Sequence, residues 1–86
     1  MRKIFGQRLK KLRRTAGYSQ KELANVLNVT PSTVSNYETG VCLPPLQIAY
    51  EMAINLHASL DYMTGLQGED EKYIKEPEVL IVAEGE

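Results

Sequence analysis

Two helix-start signals stand close together in this chain, and the short interval between them restricts what it can fold into. Ser19-Gln20-Lys21-Glu22 has the pattern of a capping box: the serine hydroxyl can accept from the Glu22 amide while the Glu22 carboxylate accepts from the Ser19 amide. Thr30-Pro31 is the second signal, because threonine caps well and proline at the first helical position gives up only an amide with no intrahelical partner. Between them Leu23, Ala24 and Leu27 keep helical spacing, and Asn28 is a residue type that tolerates positive φ. The expected local structure is a short helix, a turn of three residues (Asn28, Val29, Thr30) and a second helix ending before Gly40.

The flanking segments read as helices too. Phe5, Leu9, Leu12 and Ala16 recur at helical spacing with Arg8, Lys10, Lys11, Arg13 and Arg14 between them, a basic amphipathic first helix that Gly17 closes. Pro44-Pro45 introduces a fourth helix with the expected inward set Leu46, Ala49, Tyr50, Met52, Ala53 and Leu56. Ser59 caps a short fifth helix carrying Leu60 and Met63, closed by Gly65. The fold class is therefore all-α, a five-helix domain over residues 1–66. Residues 67–86 form an acidic tail in which Pro77 bars helix continuation and Val79-Leu80-Ile81-Val82-Ala83 favours a short strand over 78–83.

Charge divides along the same boundary. Residues 1–65 hold eight Lys or Arg against four acids, a net of +4, whereas residues 66–86 hold two Lys against seven acids, a net of −5. The overall −1 hides a local positive field between Arg8 and Arg14, although such a run is by itself ordinary solvated helix surface. The single cysteine, Cys42, excludes an internal disulfide, and no spacing of His, Cys or acids suggests a metal or other cofactor. Nothing approaches the ~20 apolar residues of a membrane span, so a cytoplasmic, nucleoid-associated location is expected and no membrane contact. His57 is read as a helix-terminal residue, not a catalytic base, and no phosphate-binding glycine loop or nucleophile elbow appears, so enzymatic activity is not expected. Tyr18, Tyr37 and Tyr50 are read as core or semi-core residues.

The central pair of helices has the geometry of a helix-turn-helix, Ala24 meeting the need for a small residue at the crossing. On the third helix Pro31, Val34, Tyr37 and Glu38 share one side, with Val34 and Tyr37 able to enter the core. Ser32 and Asn36 lie opposite, flanked by Thr33 and Ser35, so the outward face is small, polar and uncharged. Asn36 suits base reading, since a carboxamide can donate and accept in one pair with adenine, and Ser32 can reach a base edge or a phosphate. Pro31 and the Thr33 methyl suit thymine methyl groups, but both equally read as helix-start chemistry.

From Gly6 to Gly65 the chain resembles the lambda-repressor-like, Xre-type helix-turn-helix proteins, through LKKLRRTAGYSQKELANVLNVTPSTVSNYETG and the following LPPLQIAYEMAINLHASLDYMTG. The resemblance implies that the third helix lies in the major groove of double-stranded DNA and that two chains, as a homodimer, read two half-sites. It implies that Gln20 contacts phosphate or bridges to a base-reading neighbour, and the free amides of a helix N-terminus suit a phosphate at that place. Lys21, Thr30, Asn36 and Thr39 are candidate backbone contacts around the same groove edge, while Gln20 and Lys21 taken singly also read as solvated surface. It further implies that Arg13 is structural and pairs with Glu38, leaving Lys10, Lys11 and Arg14 for phosphates.

Two surfaces are candidates for dimerisation: the region of the fourth and fifth helices, where Ile48 and Ile54 fall off the inward set, and the 79–83 run pairing with its mate. The expected function is a sequence-specific transcriptional regulator, most simply a repressor. The alternative is an antitoxin-type regulator whose tail grips a second protein.

Overall fold

The computed structural model describes residues 1–68. Among these residues the chain forms five helices, α1 (Arg2–Thr15), α2 (Gln20–Leu27), α3 (Pro31–Glu38), α4 (Leu46–Leu56) and α5 (Leu60–Thr64). The all-α architecture expected from the sequence is the one observed. The strand expected over 78–83 lies outside the described residues.

The starts of α2, α3 and α5 each have a local chemical cause in a side-chain cap. The capping box at Ser19 is complete: Ser19 Oγ accepts from the Glu22 amide at 3.0 Å and Glu22 Oε1 accepts from the Ser19 amide at 2.8 Å. Asn28 then closes α2 at φ 60°. Thr30 Oγ1 accepts from the Thr33 amide at 3.2 Å to open α3, and Ser59 Oγ accepts from the Tyr62 amide at 3.1 Å to open α5. Gly17 at φ 85° lets the chain leave α1, with the Tyr18 amide donating back to the Arg13 carbonyl.

The core is one cluster drawn from every helix: Phe5 and Leu9 from α1, Leu23, Ala24 and Leu27 from α2, Val34 and Tyr37 from α3, Met52 and Leu56 from α4, Met63 from α5. Helix α3 packs against both α1 and α2, α5 packs on α1, and α4 packs on α2 and α5. Gly6 permits the approach of α1 to α3. A Cβ built on it would stand 2.7 Å from the Tyr37 carbonyl oxygen and closer still to that of Glu38.

Three expected inward positions are corrected. Leu46 and Tyr50 on α4 are 77% and 60% exposed, while Ile48, expected off the inward set, is half-buried against the core. The reason is that the apolar residues of α4 span far more of its circumference than the core covers, with Gln47, Glu51 and Asn55 on the remaining arc, so periodicity alone does not choose which part is buried. Ala16 is also exposed, because α1 ends one residue before it.

Candidate nucleic-acid interface

The burial pattern of α3 decides which of its residues a ligand can reach. Val34 is 0% and Tyr37 6% exposed, both in the core, and Glu38 is buried beside them. Pro31, Ser32 and Asn36 are exposed, and Thr33 and Ser35 are half-buried at the margins of the same outward surface. That surface carries no charge and no long side chain, so another molecule can approach the helix backbone closely. The Tyr37 phenol has its pKa raised above the ordinary tyrosine value, first by burial and then by the nearby Cys42. It serves the core and offers nothing to the outward face.

Local hydrogen bonds hold the ends of this face. The Thr30 and Thr33 hydroxyls lie 2.8 Å apart, and Thr39 Oγ1 donates to the Ser35 carbonyl at 2.9 Å. Thr30, Thr33 and Thr39 therefore spend hydrogen-bonding capacity on the helix itself, whereas Ser32 and Asn36 keep their side chains outward. Asn36 carries the fuller donor and acceptor pair.

The first turn of α2 is anchored to the last turn of α3. Glu38 accepts from Arg13 through both carboxylate oxygens, Nε to Oε2 in a short contact and Nη2 to Oε1 at 3.2 Å. Arg13 Nη1 also donates to the Tyr18 carbonyl at 2.8 Å. The Gln20 carboxamide then joins the same carboxylate, Nε2 donating to Glu38 Oε1 at 3.0 Å. The buried Arg13–Glu38 pair thus ties α1, the α1–α2 loop, α2 and α3 together, Arg13 reaching the loop and Glu38 reaching Gln20, and no buried polar side-chain atom among the described residues lacks a partner.

Sequence reasoning did not anticipate the Gln20–Glu38 bond. The available signal was that Gln20 opens α2 while Glu38 closes α3, which in a tight helix-turn-helix brings the two ends together. Arg8 is a second omission. Read as part of the basic run, it instead lies 4.5 Å from the Tyr62 ring centroid and donates to the Tyr62 and Gln67 carbonyls, fastening α1 to the exit of α5. With Arg13 neutralised by Glu38 inside the fold, the basic field of α1 is weaker than the run of cations suggests, whereas Arg8, bound to carbonyls, is fixed in place but keeps its charge.

The expected contact residues fall into two groups. Gln20 and Lys21 sit at the start of α2, joined through Glu38 to the helix that bears Ser32 and Asn36. Lys10 and Arg14 lie apart from these, lining with Gln7, Lys11 and Thr15 an open groove of about 400 Å³ along α1. Among the described residues no cluster of His, Cys, Asp and Glu could hold a metal ion, and no helix is long and apolar enough to cross a membrane.

Comparison with known proteins agrees with this geometry. The helix-turn-helix family profile matches residues 9–63. The SPbeta prophage-derived uncharacterized HTH-type transcriptional regulator YonR of Bacillus subtilis is 35% identical over 81 residues, spanning 91% of this chain and 75% of YonR. SinR, a master regulator for biofilm formation whose crystal structure is in complex with DNA, superposes with a TM-score of 0.64 at 31% identity, over 70% of this chain and 97% of that one. The restriction-modification controller protein C.AhdI from Aeromonas hydrophila gives a TM-score of 0.62 at 32% identity, over 69% of this chain and 86% of its own. By its profile match, by its likeness to the prophage regulator and by its five-helix fold, this chain belongs to the helix-turn-helix family of lambda-repressor-like, Xre-type proteins.

Proposed function

We propose that this protein is a sequence-specific transcriptional regulator, acting as a repressor, that binds a pseudo-palindromic operator in double-stranded DNA as a homodimer. The observation that carries the reading is the outward face of α3, where Ser32 and Asn36 are exposed beside the half-buried Thr33 and Ser35 while Val34 and Tyr37 are held in the core. In this reading α3 enters the major groove, Asn36 pairs with a base edge and Ser32 meets a base or a phosphate. Gln20, Lys21, Thr30 and Thr39 track the phosphate backbone at the groove edge, with Pro31 and the Thr33 methyl against thymine methyls. Lys10 and Arg14 add longer-range attraction for phosphate. The SinR complex with DNA supports this assignment by analogy of fold at 31% identity.

Residues 1–66 form the DNA-binding unit, and the acidic remainder serves dimerisation or partner binding. Homodimerisation follows from the limited affinity of one small module, which two half-sites ~34–36 Å apart overcome.

The decisive experiment is selection of bound duplexes from a random pool, repeated with Asn36→Ala. The expected result is a two-fold-related consensus for the native chain and loss of preference at one base pair per half-site for the variant. That loss corresponds to about 1–3 kcal/mol per base contact. Equal weakening on every sequence would reduce Asn36 to a phosphate contact, and recovery of no consensus would defeat the regulator reading.

A further inference from the structure

We infer that Glu38 is a positioning residue for DNA contact by Gln20, in addition to being the buried partner of Arg13; the inference rests on the DNA-binding reading above. Glu38 Oε1 receives the Gln20 amide nitrogen at 3.0 Å and Arg13 Nη2 at 3.2 Å, and Oε2 receives Arg13 Nε. A carboxylate is an acceptor only, so the group of Gln20 that faces it must be the NH₂ and not the carbonyl oxygen. This settles which way the carboxamide is turned. The second N–H of that nitrogen is left for a ligand.

The surroundings select the ligand. At the start of α2 the capping box occupies the Ser19 and Glu22 amides, while the backbone N–H groups of Gln20 and Lys21 have no acceptor among the described residues. Donors at the positive end of a helix, joined by an oriented side-chain N–H, match a group that only accepts: a backbone phosphate oxygen. A carboxylate this close would ordinarily repel a phosphate. Its pairing with Arg13 removes that repulsion and leaves its orienting effect intact. A glutamine on open surface must give up rotamer freedom to make the same contact, whereas Gln20 is ordered before DNA arrives.

The test is a double-mutant cycle in affinity for a duplex recovered by the selection above. Gln20→Ala is expected to weaken binding at least about tenfold, the worth of one hydrogen bond to a charged group. Glu38→Gln keeps an acceptor for Arg13 but can present an amide to Gln20 and release its orientation, so a similar loss is expected. The double variant should bind no more weakly than the weaker single one. In the free protein, the Gln20 side-chain ¹⁵N–¹H pair should be distinct from that of a solvated glutamine in the native chain and move to the solvated position in Glu38→Gln. Should Glu38→Gln unfold, Arg13→Met with Glu38→Leu removes both charges while filling the space. The same affinity loss is then expected, with Gln20→Ala adding nothing. Losses that multiply, a Glu38 variant that binds like the native chain, or an unmoved Gln20 resonance would overturn the inference. A native chain that binds DNA while Gln20→Ala costs nothing would overturn the positioning alone, and a native chain that binds no duplex would remove both readings.

Discussion

Gly6 has no side chain to place near a ligand, yet it governs whether the Arg13–Glu38–Gln20 network can form. The close approach of α1 to α3 at this residue brings the backbone of Tyr37 and Glu38 onto the α1 surface. A methyl group there meets carbonyl oxygens of the backbone, which cannot swing aside as the tip of a flexible side chain would. Gly6→Ala is therefore expected to force the helices apart and lower stability by about 2–3 kcal/mol, despite alanine's better helix propensity. Urea denaturation would report a lower midpoint at unchanged slope, and a midpoint equal to or above the native one would contradict the packing. A glycine inside a helical run costs about 1 kcal/mol relative to alanine, so its presence signals a close contact. The signal says nothing of the partner, and for that reason Gly6 was not legible as the seat of α3.

At the scale of the element, legibility followed the kind of chemistry involved. Helix ends were readable because each is set by residues adjacent in sequence: Ser19 with Glu22, Thr30 with Pro31, Ser59 before Leu60. The outward face of α3 was readable because only two of its residues, Val34 and Tyr37, are apolar enough to anchor it. Helix α4 offered no such contrast. With Leu46, Ile48, Ala49, Tyr50, Met52, Ala53, Ile54 and Leu56 all apolar, its buried arc turns roughly 50° from the expected one, in the 3.6-residue geometry of a helix. The Gln20–Glu38 bond was hidden for a third reason, since it depends on how two helix ends meet in space. One element boundary carries its own strain: His57 closes α4 in the left-handed region at φ 54°, where a β-carbon is disfavoured. It is exposed, so little is lost by truncating it. His57→Gly is expected to stabilise the domain by about 1 kcal/mol and raise its melting temperature by several degrees. A drop in melting temperature would instead assign the imidazole a contact of its own.

For the molecule as a whole, the apolar surface left uncovered on α4 bears on assembly. Leu46, Tyr50 and Ile54 follow one another at intervals of a helical turn and stand 77%, 60% and 53% exposed. Leu43, Pro44 and Leu46 continue this surface into a groove of about 230 Å³ that reaches Met1 and Leu60. A specific interface covers about 800 Å² on each partner, and three partly exposed side chains by themselves fall well short of that. In the homodimer proposed above, pairing through this stripe alone should consequently be weak and tightened by a two-half-site operator. Replacing Tyr50 and Ile54 together by Glu places charges on a solvent-exposed surface, so folding should change little, while two-fold pairing would set like charges against each other. Sedimentation equilibrium should then find monomers at concentrations where the native chain is dimeric, with affinity for the full operator lowered at least tenfold and affinity for a single half-site preserved. An unchanged dimer constant would exclude the α4 stripe. In that case removal of residues 68–86 becomes the variant that should dissociate the dimer, because the remaining large apolar run, Val79 to Ala83, lies there. Each surface thus predicts a different variant as the monomer, and one sedimentation series on the two variants separates them.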